Sequence, residues 1–151
     1  MLTKKAKYGL KALVHLAGVE SGKTSLVAEI AEANQIPKKF LDAILADLRN
    51  AGFVHSKKGK GGGYMLARPA SDIAVGDLIR TLDGPLAPIP CASMKGYRRC
   101  DDCEDERRCE VRLMMLRARE AIVGVFDQTT LEQMRALGKT GKGVARKARA
   151  S

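Results

Sequence analysis

The chain has 151 residues, 45% of them apolar and 4% aromatic, with no tryptophan. That suits one domain plus an appendage with an aliphatic, helix-rich core, and argues against a β-sandwich. No apolar run approaches the roughly 18 residues of a membrane span, and the opening MLTKKAKYGL has no apolar signal core, so a cytoplasmic protein with no membrane partner is expected. The net charge of +10 is uneven: +7 over residues 1–68, −2 over 69–137 and +5 over 138–151. A basic front and tail point to a polyanion such as nucleic acid; the alternative is a solvated basic surface.

Residues 3–19 read as a helix capped by Thr3, with Ala6, Leu10, Leu13, Val14 and Ala17 at spacings of three and four. A short helix is expected over 25–33, with Ser25 as its cap and Leu26, Ile30 and Ala31 inward. A third starts at Pro37, a residue favoured in the first helical position. It buries Phe40, Leu41, Ile44, Leu45 and Leu48 and stops at Gly52. Its other face carries Lys38, Lys39, Asp42 and Arg49.

The period then changes. Phe53–Ser56 and Tyr64–Ala67 read as strands around the basic, glycine-rich turn 57–63. Short helices, a tight turn and a hairpin make a winged helix-turn-helix. A helix over 75–82 ends at Gly84-Pro85, and 85–109 is expected to be an irregular loop. A long helix follows from Glu110 to Phe126. Its stripe of Val111, Met114, Met115, Ala118, Ile122, Val125 and Phe126 reads as a dimer seam or as packing on its own head. A short helix over 131–137 and a disordered basic tail over 138–151 complete the chain.

The expected fold is therefore mostly α with a small β-hairpin wing: a winged helix-turn-helix head plus a long dimerisation helix. Its divisions are a DNA-binding domain (1–84), a cysteine-rich loop (85–109), a dimerisation and terminal helix (110–137) and a basic tail (138–151).

The third helix has the amphipathic form of a groove-entering helix. Lysine can donate to guanine or hold phosphate, and a carboxylate can accept from cytosine. Asp42 fits as a base reader, although a plain i,i+4 surface partner explains it equally simply. In the wing, Lys57, Lys58 and Lys60 stand beside Gly61 and Gly62. The glycines permit close approach to a surface, and the lysines match the potential of a narrow minor groove; a merely solvated turn is the plainer reading. The GKGGG run lacks the spacing and context of a nucleotide-phosphate loop.

The stretches TKKAKYGLKALVHLA, SLVAEIAEANQIPKKFLDAILADLRNAGFVHSKKGKGGGYMLARP, DIAVGDLIRTLDGPL and FDQTTLEQM resemble the Rrf-type (IscR/NsrR/RirA) family of bacterial transcription regulators over about residues 1–137. The resemblance implies a homodimer that binds palindromic double-stranded promoter DNA, many members holding an iron–sulfur cluster through three loop cysteines. It also implies a minor-groove role for Lys58, sequence choice through Asp42 with Lys39 beside it, and a backbone contact from Lys7-Tyr8. Pro37 and Lys38 replace the family's common small or apolar residues, so the operator does not transfer.

Cys91, Cys100, Cys103 and Cys109 fall within 19 residues. Without a signal segment such clustering points to metal or redox chemistry. Thiolates hold Fe–S iron or zinc. The family pattern matches Cys91, Cys103 and Cys109, leaving Cys100 as a fourth or exchangeable ligand. A histidine ligand three residues after the last cysteine is excluded, because Arg112 stands there. The expected cofactor is a [2Fe–2S] or [4Fe–4S] cluster. Structural zinc and a thiol–disulfide sensor with Arg98, Arg99, Arg107 and Arg108 nearby remain open. His15 and His55 lie far along the chain from the cysteines and no catalytic constellation stands out, so no enzyme is expected. The basic tail leaves an RNA-binding or architectural role open.

Overall fold

The computed structural model describes residues 2–141. Along them run α1 (Lys4–Ala17), α2 (Val27–Asn34), α3 (Lys38–Asn50), β1 (Val54–Lys57), β2 (Gly63–Leu66), α4 (Val75–Asp83), α5 (Glu110–Gln128) and α6 (Leu131–Thr140). The strands pair antiparallel, Val54 opposite Leu66 and Lys57 opposite Gly63. Thr3 caps α1, its Oγ1 accepting from the Ala6 N–H at 3.2 Å. On α3, Leu41, Ile44, Leu45 and Leu48 fall at i, i+3, i+4 and i+7 and are fully buried. They meet Leu10 and Leu13 of α1, Ile30 of α2, Leu78 and Ile79 of α4 and Leu131 of α6 in one core. This is the mostly helical fold with a hairpin wing that the residue pattern predicts.

Several local expectations are corrected. Ser25 does not cap α2. Its backbone is committed to the wing, donating to the Tyr64 carbonyl at 2.9 Å and accepting from the Tyr64 N–H at 2.8 Å. Leu26 becomes the N-cap residue, and Glu29 accepts its N–H at 2.9 Å. Leu26 points outward and is 51% exposed. Phe40 also leaves the buried stripe and is 41% exposed, because it sits about 100° around the helix from Leu41. Pro37 is the N-cap of α3 rather than its first helical residue. Gly138 belongs to α6, which Gly141 closes in a left-handed conformation. The tail expectation for residues 142–151 lies outside the described residues.

The segment between α4 and α5 is irregular apart from a 3-10 turn at Pro90–Ala92. Helix α5 buries none of its residues. Phe126 leans on the head core, whereas Val111, Met114 and Val125 are each more than half exposed. Its far end is fastened by main-chain bonds, Val75 N–H to the Thr129 carbonyl at 2.9 Å and Leu131 N–H to the Ile73 carbonyl at 2.8 Å. A bidentate pair reinforces them: Arg80 of α4 donates to both oxygens of Asp127 at 2.7 and 2.8 Å. No helix among the described residues is long and apolar enough to cross a membrane.

The hydrogen bonds from Arg80 hold the Asp127 carboxyl below its usual range. A carboxyl whose folded pKa is depressed stabilises the fold above its unfolded value, near pH 4, and loses that contribution as pH falls through the lower folded value. Both partners are partly exposed, so the contribution is no more than about 1 kcal/mol. Asp127→Asn should therefore lower the melting temperature by a constant amount above about pH 5. Thermal melts should show that gap closing as both proteins are taken below about pH 4.

Candidate nucleic-acid interface and cysteine loop

Two surfaces carry the polar residues singled out in the sequence. The first is the N-terminal half of α3, where Lys38, Lys39 and Asp42 are exposed. Lys38 Nζ meets Asp42 Oδ2 at 3.2 Å, so in the free protein Asp42 has the i,i+4 partner that its spacing allows. Phe40 stands among them, and the Tyr8 ring of α1 meets it edge-on, centroids 5.7 Å apart and planes at 85°. That contact joins the Lys7-Tyr8 pair to α3. Lys7 is exposed and Tyr8 half-buried.

The second surface is the wing, whose Lys57, Lys58, Lys60 and Gly61 are exposed. Its pose is set from outside the hairpin. The Thr24 hydroxyl lies 2.8 Å from the Gly61 carbonyl and 2.9 Å from the Gly62 carbonyl. Next along the chain, Ser25 pairs with Tyr64 as a one-residue third strand. Gly63 is required there. Its φ of +131° and an added Cβ 2.4 Å from the Ser25 carbonyl oxygen both exclude a side chain. A polar chain runs back from this point, Ser25 Oγ to Glu29 at 3.1 Å, His15 Nε2 to Ser25 Oγ at 3.3 Å and Asn34 to His15 Nδ1 at 3.4 Å. His15 is thus a structural bridge between α1 and α2. Thr24 carried no sequence signal, because its role depends on a carbonyl pair nearly forty residues away.

The cysteines lie apart from both surfaces, near the start of α5. Cys91 is buried and Cys100 exposed, with Cys103 and Cys109 between these extremes. The Cys91 and Cys100 sulfurs are 3.9 Å apart. Cys91 raises the Cys100 thiol pKa, and burial, Asp102 and Cys109 push the same way. Cys109 is the N-cap of α5, its sulfur accepting the Arg112 N–H at 3.5 Å. Cys103 donates its N–H to the Cys100 carbonyl at 3.3 Å in a tight turn. Two thiolates on one tetrahedral ion, each bonded at about 2.3 Å, lie about 3.8 Å apart, so the Cys91–Cys100 pair has the spacing of two ligands of one metal atom. Among the described residues no three potential ligands converge as yet. Completing a site calls for Cys103 or Cys109 to close on that pair.

Two arginines of α5 fasten this loop to the helix. Arg112 donates to the Cys91 carbonyl at 3.0 Å and the Glu106 carbonyl at 3.3 Å, and Arg119 donates to the Ala92 carbonyl at 2.7 Å. The Tyr97 hydroxyl donates to Glu106, and that bond raises its pKa. At the other end of the loop, Asp83 accepts both the Thr3 N–H, at 2.9 Å, and the Thr3 hydroxyl.

A family model described as Rrf2, iron-dependent transcriptional regulator, matches residues 2–136. The rrf2-like HTH-type regulator of Rhodobacter capsulatus is 43% identical over 141 residues, covering 91% of this chain and 94% of that protein. The Bacillus subtilis regulator CymR is 33% identical over 133 residues, 88% of either chain. Its solved structure, titled the global cysteine regulator, superposes with a TM-score of 0.74 at 32% identity over 90% of this chain and 96% of that one. IscR of T. potens superposes with a TM-score of 0.72 at 28% identity, covering 95% and 91%. These relatives are transcription regulators rather than enzymes.

Replacing Thr24 with valine keeps the shape and removes both bonds to the wing. At about 1 kcal/mol for such contacts, amide exchange at Gly62 to Tyr64 should quicken several-fold while the melting temperature stays nearly constant. Exchange measured by mass spectrometry or NMR on wild type, Thr24→Val and Thr24→Ser checks this, with serine close to wild type.

Proposed function

The chain belongs to the Rrf2 family of transcriptional regulators, and we propose that it is a homodimeric promoter-DNA-binding repressor whose cysteine loop holds an iron–sulfur cluster. The observation that carries the cluster is the 3.9 Å separation of the Cys91 and Cys100 sulfurs, matched to two thiolates on one tetrahedral iron. Cys103 and Cys109 complete the donor set; two thiolates on one iron is the arrangement of a [2Fe–2S] cluster, whereas a [4Fe–4S] cluster takes one thiolate per iron and would require Cys91 and Cys100 to part. A second subunit covers the exposed apolar face of α5, and each head places α3 in a major groove, the two about one helical turn apart. Lys39 and Asp42 face base edges, Lys7, Tyr8 and Lys38 face the backbone, and Lys57, Lys58 and Lys60 with Gly61 and Gly62 enter the minor groove.

A bound cluster supplies iron–thiolate bonds that depend on iron supply and on oxidants or nitric oxide. The chain's own residues carry the order of the loop to the DNA face. Arg112 and Arg119 hold the loop carbonyls on α5, and Arg80 and Asp127 hold α5 on α4. Asp83, at the end of α4, holds Thr3 at the start of α1, four residues before Lys7. A coupling of about 1 kcal/mol, the strength of one such contact, changes affinity about fivefold.

Protein purified anaerobically should contain iron and acid-labile sulfide and absorb in the visible, and changing all four cysteines to serine should abolish all three signals. A colourless protein with stoichiometric zinc sinks the cluster. The same sulfur pair favours one other reading, a thiol switch, since a disulfide needs only a further approach to about 2.05 Å. In that case peroxide oxidises the two thiols to a disulfide with release of water, and mass spectrometry finds the Cys91–Cys100 link together with a change in promoter affinity.

Lys58→Ala should cost roughly 1–3 kcal/mol in operator affinity where the lysine meets base edges. Gel-shift titration over a range of salt checks it, and unchanged affinity removes Lys58 from the interface.

A further inference from the structure

Phe40 is the one large apolar side chain exposed on α3, 41% accessible. Lys39 precedes it on the exposed side and the small Ala43, also exposed, follows one turn on, while Lys38 and Asp42 lie on the opposite flank of the helix; the other large apolar residues of the helix, Leu41, Ile44, Leu45 and Leu48, are buried. An exposed phenyl ring gains nothing from water and has no polar atom with which to bond a phosphate or a base-edge donor. The ring is not loose, because Tyr8 braces it edge-on from α1. It occupies the first turn of α3, the part of a recognition helix that contacts base edges. The major groove offers one apolar group, the C5-methyl of thymine, and phenylalanine is among the side chains that match it.

We propose that Phe40 is a specificity-determining residue whose ring contacts a thymine methyl in each half-site, held in place by Tyr8. This rests on α3 being the recognition helix. Lys39 and Asp42 then read polar edges beside a thymine that Phe40 selects, and the aromatic pair fixes how deeply α3 enters the groove.

The test uses the full-length protein and a duplex that it selects from a randomised library. Each thymine of that duplex is replaced in turn by uracil, which removes only the methyl group. Wild type should lose about three- to tenfold in affinity at one symmetry-related position per half-site, consistent with one buried methyl at a direct contact. Phe40→Ala should bind the thymine and uracil duplexes equally, and Phe40→Leu should retain part of the preference. Wild type indifferent to uracil at every thymine overturns the proposal, as does Phe40→Ala that keeps the full preference. The wild-type scan can overturn the proposal by itself even if a variant folds poorly, and Phe40→Leu assigns the contact where Phe40→Ala does not fold. If the library yields no preferred sequence at all, the reading of α3 as the recognition helix fails instead.

Discussion

The junction between α4 and α5 is the contact on which the rest of the molecule depends. Helix α5 fully buries no residue of its own and Phe126 packs on the head core only at its far end, so apolar packing within one chain does not by itself seat it. It is seated by the Arg80–Asp127 fork and by the main-chain bonds on either side of Thr130. Gly76 makes the fork possible: a Cβ there would lie 1.9 Å from Asp127 Oδ1, so any larger residue would push the carboxylate away. The hydrogen bonds raise the Arg80 pKa as they lower that of Asp127. The long helix and the loop docked on it are therefore located relative to the head by the charged pair that Gly76 makes room for, by the two main-chain bonds beside it and by the packing of Phe126.

From that junction two routes reach the surface that carries Tyr8, Lys39 and Phe40. One runs through the buried side of α4, whose Leu78 and Ile79 pack with α1 and α3. The other runs along its end, where Asp83 takes both donors of Thr3 one residue before α1 begins. Helix α1 then touches α3 at the exposed Tyr8–Phe40 pair. The wing is oriented independently by Thr24 and Ser25, which precede α2. Strand β2 also packs against α1, so α1 borders both α3 and the wing.

The periodic parts of this architecture were legible in the sequence. Apolar stripes at spacings of three and four placed α1, α3 and α5, and the glycine-rich basic turn placed the hairpin. Failures came where a residue's role is set by a partner far along the chain. Ser25 has a capping residue's chemistry, but Tyr64 claims its backbone. Leu26 and Phe40 are apolar residues at the margins of helical stripes, and composition cannot tell a margin from a core. Asp42 illustrates the reverse: its simple i,i+4 partner was evident from spacing alone. The clustering of cysteines was plain, but spacing could not show that the sulfurs of the first and second, separated by eight residues, come within 3.9 Å of each other.

The strength of the links between loop and head bears on what they can do. Each is a partly exposed polar contact worth on the order of 1 kcal/mol or less, in contrast with the aliphatic core, where one truncated leucine costs about 2–5 kcal/mol. A linkage as strong as the core would lock head and loop into one state. Arg112 and Arg119 act side by side on the loop; a coupling passed on through Arg80 and Asp83 one after the other would be capped by the weaker of them at about 1 kcal/mol, enough to bias a two-state equilibrium and small enough to reverse. The core keeps the winged head rigid while the arginine-rich arm remains adjustable, and that division of strength follows from placing leucines inside the head and guanidinium groups along its border with the loop.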